Sequence, residues 1–152
     1  MDQADSHTVR AAVLAAINDI PDPCSVAAHS AAGLVDMGLV VDLLMTDTTP
    51  GQFSVEVAMR ATSPGCVFFG VFDAEILNRV AAVPGVASVN VTWSMEPLWE
   101  PSMMSEELQA RRSKFLGSLR AYASSQRASR DEVPREAGAH AGAWRPSRLT
   151  NI

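Results

Sequence analysis

The segment Thr62-Ser63-Pro64-Gly65-Cys66 is where this chain's residue types and spacing could do chemistry. Serine is a favoured helix N-cap and proline a favoured first helical residue, so the pattern predicts a helix opening at Ser63-Pro64. Cys66 would then be its third residue, where backbone N–H groups are unpaired and the dipole is positive. A thiolate is stabilised in such a place and could ligate iron or zinc, or attack an electrophile. Gly65 keeps the approach to that corner open. A cysteine also packs well as a small apolar residue, and position by itself leaves both readings open.

The second thiol, Cys24, stands in Asp22-Pro23-Cys24, where the first helix gives way to a loop. It reads either as a packed loop residue or as a second metal ligand, and the two thiols meet only if this loop folds back over the second helix's tip. Asp22, His29, Asp36 and Thr62 are secondary candidates for a metal or a pocket. His29 would add a nitrogen ligand, while Asp36 has an ordinary alternative as a turn cap. Trp99, Met103 and Met104 form an aromatic and sulfur-rich patch that either plugs the core or docks a partner. There is no phosphate loop, no Gly-x-Ser-x-Gly elbow, no His-Glu-x-x-His pair and no nucleophile–base–orienter set. Hydrolase and transferase chemistry therefore finds no support.

These residues need elements to position them. Val9, Val13, Ala16, Ile17 and Ile20 recur at helical spacing, with Ser6 or Thr8 as cap and Pro21 as stop. After a loop, residues 38–46 read as a strand, and the turn cluster 47–51 leads into a second. There Phe53, Val55, Val57 and Met59 alternate with polar or small residues, as a half-buried hairpin strand does. The helix from Ser63 runs through Phe68, Phe72, Ile76 and Val80 to Pro84-Gly85. Val86, Val89, Val91 and Trp93 make a third strand. Ser105 caps a last helix, acidic in its first turn and basic later, with Leu108, Phe115 and Leu119 as its apolar stripe. The expected fold is α+β, in the order α-β-β-α-β-α. It is a two-layer sandwich with helices on one face of a small mixed three-stranded sheet.

Composition sets the outer bounds. The chain has 152 residues, enough for one domain, and a net charge of −5 that gives no general attraction to nucleic acid or anionic membrane. Residues 118–152 carry six arginines against three acids, leaving the preceding part at −8. That tail is rich in Ala, Ser, Arg and Gly and has no sustained apolar period. It is expected to be largely disordered and solvated, with the last helix reaching about Arg127. The folded domain is expected over 6–117. The polar first ten residues lack a signal-peptide pattern, no apolar run reaches the ~20 residues of a spanning helix, and the expected location is cytoplasmic.

Taken together, Asp22-Pro23, the 33–40 segment, Thr62-x-Pro64-Gly65-Cys66, Val83-Pro84-Gly85-Val86 and Pro97-x-Trp99 with Met104-Ser105 resemble, in that order, the PaaD/SufT-like iron–sulfur cluster assembly family. The resemblance covers residues 8–117. It implies a compact α/β accessory domain, not an enzyme, that helps mature iron–sulfur or related iron centres in client metalloenzymes, with iron or a cluster held transiently. The family's most characteristic residue, the cysteine of its Thr-x-Pro-x-Cys turn, falls on Cys66. Relatives often accompany multicomponent oxygenases, so the resemblance implies a monooxygenase client or other iron–sulfur assembly proteins as partners.

Two departures matter. The family usually has glutamate after Asp-Pro where this chain has Cys24, and the cysteine-rich extension of some relatives is missing here. Two thiols fall short of the four ligands a cluster usually takes. A homodimer, a client thiol or a small-molecule thiol would have to complete the set. Another reading makes the domain a binding module for an oxygenase subunit, with Cys66 structural. A Cys24–Cys66 redox pair lacks Cys-x-x-Cys spacing and would need Cα atoms within about 7 Å.

Overall fold

A computed structural model describes residues 5–131. The elements are α1 (Ser6–Asn18), α2 (Pro23–Ala27), β1 (Val40–Thr49), β2 (Gln52–Arg60), α3 (Phe69–Ala81), β3 (Val86–Ser94), a 3₁₀ turn (Pro101–Met103) and α4 (Glu106–Asp131). The expected order is present, with α2 and the 3₁₀ turn added. Asp5, not Ser6 or Thr8, occupies the cap position of α1.

The sheet order is β1-β2-β3. β1 and β2 form an antiparallel hairpin turned at Gly51, whose φ is 75°. β3 runs parallel to β2 because α3 carries the chain back before it starts. Alternation along β2 decides which face is covered. Phe53, Val55, Val57 and Met59 are buried, whereas Ser54, Glu56 and Ala58 point the other way. One core unites that buried row with Val9, Val13 and Ile17 of α1 and Phe72, Ile76 and Val80 of α3. Both helices thus bury one apolar stripe against one face of the sheet. The open face is largely polar apart from the exposed Leu44 of β1, and Ser88 Oγ donates to Ser54 Oγ at 2.9 Å there.

Segment 30–39 joins α2 to β1 through the core, burying Leu34, Met37 and Leu39. Two glycines make its path possible. A side chain at Gly33 would run into the Asn18 carbonyl, and one at Gly38 into the Met103 carbonyl, where φ is also +71°. Asp36 staples the same segment. Its N–H donates to Asn18 Oδ1 (2.9 Å), its carboxylate accepts from Asn18 Nδ2 (3.0 Å), and its carbonyl accepts from Ser105 N (2.8 Å).

Three expectations change. Helix α3 does not open at Ser63-Pro64. Residues 62–68 form turns, with Cys66 N donating to Ser63 O at 3.2 Å, and the helix begins at Phe69. Aromatic packing accounts for this register: Phe69 meets Trp93 edge-on at 4.7 Å, and the Trp93 indole N–H donates to Asp73 at 3.2 Å. The apolar stripe of α4 is shorter than expected, since Leu108 is buried but Leu119 is 47% exposed. Lastly, α4 continues to Asp131, a turn beyond its expected end near Arg127. The expectation for residues 132–152 lies outside the described residues.

Candidate functional site

The site is built first by α2, a short helix over residues that the sequence pattern marks as loop. Asp22 is its N-cap and Pro23 its first residue. The Asp22 carboxylate accepts from Ser25 N at 2.6 Å and also from the Cys24 N–H. Ser25 Oγ donates to the Asp22 carbonyl at 2.7 Å and accepts from Ala32 N at 3.0 Å, while Asp22 N donates to Ala32 O at 2.9 Å. Every bond in this knot points inward, and Asp22 is 2% exposed. Burial pushes its carboxyl above the ordinary range, and the N–H bonds from Ser25 and Cys24 partly offset that. Asp22 is therefore a capping residue that holds the first turn of α2 in place.

The turn is what presents Cys24. Its thiol is held above its ordinary value, first by loss of solvent, then by the Asp22 charge and by the Cys66 thiol; a Thr62 side-chain hydrogen bond works in the opposite direction. Cys24 is exposed as a residue, so the lost solvent is on its inner side only. Cys24, Thr62 and Cys66 thus come together, brought from α2 and from the turn after β2. Cys66 is half-buried and packs against the core. Both cysteines are free thiols. Cys66 is not on a helix tip: α3 starts three residues later, and the Cys66 N–H is already bonded within the turn.

Behind Cys24 lies a cavity of about 170 Å³. Cys24 and Ser25 of α2 with Ala28 just after it form one wall and Leu108 and Arg112 of α4 another, with Ser30, Met37, Thr62, Trp99 and Met104 completing the lining. The Trp99 indole N–H donates to Met37 O at 2.7 Å, which fixes the ring. Met104 is buried in the core. Met103 is half-buried, and its sulfur accepts from Arg60 Nη1 at 2.7 Å. Among the large apolar side chains of this part of the chain, Leu98 is the exposed one, at 61%. Of the other candidates, Asp36 is engaged with Asn18, and exposed His29 is outside the cavity lining.

Ser25, Ser30 and Arg112 were missed from sequence. The Asp22-Pro23-x-Ser25 spacing is a cap signal that could have found α2 and Ser25. Nothing local marks Ser30 or Arg112, which reach the cavity through tertiary packing. Among the described residues, no group of three or more His, Cys, Asp or Glu side chains is placed to hold a metal ion. No helix among them is long and apolar enough to cross a membrane.

A mixed three-stranded sheet covered on one face by helices, with two neighbouring thiols at the junction of α2 and the β2–α3 turn, defines a small α+β thiol-presenting domain. The same fold occurs in a domain of unknown function from Bacillus anthracis (TM-score 0.58, 21% identity, covering 69% of this chain and 92% of that one). It occurs as well in a conserved hypothetical protein from Thermotoga maritima (TM-score 0.55, 27% identity, covering 73% and 97%). The chain belongs to the iron–sulfur cluster assembly protein family, whose profile matches residues 10–93. It is also 33% identical over 72 residues to an Fe–S protein maturation auxiliary factor of Porphyromonas gingivalis; the match takes in 47% of this chain and 65% of that relative's length.

Proposed function

We propose that this protein is an accessory factor for the assembly or maturation of iron–sulfur or other iron centres in client enzymes, without catalytic turnover of its own. The observation that carries the reading is the meeting of Cys24 and Cys66 beside Thr62. Iron or a nascent cluster is the cargo. Two thiolates hold it incompletely, which suits a carrier that must give it up: thiolates from the recipient complete the shell and draw the cargo away. Family membership and the Porphyromonas gingivalis relative support this role. A subunit of a multicomponent monooxygenase is the client class that fits the family resemblance.

Each thiol must lose its proton to bind metal, so loading strengthens as pH rises toward and past the raised value of Cys24. Anaerobic reconstitution with ferrous iron and sulfide tests the reading. The wild-type chain should gain thiolate-to-iron absorbance, and Cys24→Ser and Cys66→Ser should each lose most of it. Equal absorbance in all three would sink the proposal. A binding-module reading, with Cys66 structural, has one observation in its favour: Cys66 packs against the core. It predicts that Cys66→Ala still co-purifies with the client while binding no iron in either form.

A further inference from the structure

We propose that the cavity behind Cys24 binds a small carboxylate-bearing thiol, held by Arg112 and Ser30, with its sulfur directed toward Cys24. Size sets the class of ligand. A cavity of about 170 Å³ is close to the ~150 Å³ engineered cavity that takes benzene, so the occupant has about six to eight non-hydrogen atoms. Met37, Trp99, Met104 and Leu108 suit a short alkyl or thioether body, with soft sulfur and aromatic contacts.

Two polar groups give that body an orientation. Ser30 is 6% exposed, lines the cavity, and its Oγ has no hydrogen-bond partner among the described residues. A buried hydroxyl left this way costs stability unless a ligand or water satisfies it. Arg112 also lines the cavity, and the ion pair found among the described residues is Glu75–Arg79, elsewhere on α3. A guanidinium free of acidic partners binds a carboxylate through two parallel hydrogen bonds.

The choice of a thiol rests on the proposed function, in which iron held by Cys24 and Cys66 lacks further ligands. A ligand sulfur beside Cys24 supplies one from within the same fold. The pocket itself does not depend on iron, and the experiment separates the two.

The metal-free full-length chain, kept reduced, is titrated with 3-mercaptopropionate and with propionate, by calorimetry and by the shift of the Trp99 indole N–H resonance. Saturable binding of 3-mercaptopropionate is expected. Arg112→Gln should weaken it roughly tenfold or more with its thermal melt unchanged, and Ser30→Ala should weaken it less while not lowering the melt of the ligand-free chain. No saturable binding, or binding indifferent to Arg112→Gln, overturns the proposal. Anaerobic ferrous iron should then tighten 3-mercaptopropionate but not propionate, and Cys24→Ser should abolish that gain. Equal effects on both ligands refute the thiol assignment. Failure of iron to bind while the metal-free titration holds would refute the iron reading and uphold the carboxylate pocket.

Discussion

Replacing Asp22 tests the link between local structure and site most directly. Asp22→Ala removes the N-cap of α2, which typically costs ~1 kcal/mol, and strands buried N–H groups at about 1–3 kcal/mol. Part of that loss is returned because a buried carboxylate is no longer desolvated. A net loss of about 2 kcal/mol at neutral pH follows from these opposing effects. Asp22→Asn keeps an acceptor for Ser25 N and removes the charge, so it should be close to neutral or stabilising.

The pH dependence gives the sharper signature. Because burial raises the folded-state value above the ordinary 3.8, the folded chain keeps a proton that the unfolded chain has already released. Wild-type stability therefore falls as pH rises from about 3.8 through the raised value, and the cost is fully present above it. Below that window both variants carry a neutral side chain. Urea unfolding of wild type and Asp22→Asn across this range should show their difference growing in favour of Asn as pH rises. A flat difference, or a loss under about 0.5 kcal/mol for Asp22→Ala at neutral pH, would refute the buried-cap argument. Asp22→Ala should also speed alkylation of Cys24, since the turn that presents the thiol frays.

Two further outcomes are expected. Gly38→Ala places a methyl group against the Met103 carbonyl at a backbone φ of +71°, so it should cost about 2 kcal/mol or more in denaturant unfolding. A stability change near zero would mean that the 101–104 segment yields easily. Iodoacetamide alkylation of Cys24, followed against pH by mass spectrometry, should have its midpoint above that of an ordinary thiol. Thr62→Val should move the midpoint up and Cys66→Ser should move it down, reversing the signs of the Thr62 and Cys66 contributions. If neither substitution moves it, the two segments do not meet as described.

Periodicity and backbone-restricting residues make part of the fold legible from local pattern alone. The alternation from Phe53 to Met59 and the helical recurrences Val9-Val13-Ile17 and Phe72-Ile76-Val80 define which faces are buried, and hence the sheet with helices on one side. Those signals are local, because each element must bury one stripe whatever its neighbours do. The serine cap of α4 is equally local, with Ser105 Oγ accepting from Leu108 N at 3.3 Å.

Tertiary structure decided the rest. Ser63-Pro64 is a sound helix start by propensity, yet α3 begins at Phe69, where Phe69 and Asp73 find Trp93 on β3. Packing across elements outweighed a cap preference of about 1 kcal/mol. Cys66 therefore draws its place at the site from Cys24 and Thr62, forty-two and four residues away in sequence, and not from a helix dipole. Ser30 and Arg112 became cavity residues for the same reason. Which side chains share a pocket depends on how the chain closes distant elements on one another, and no spacing within a single element records that.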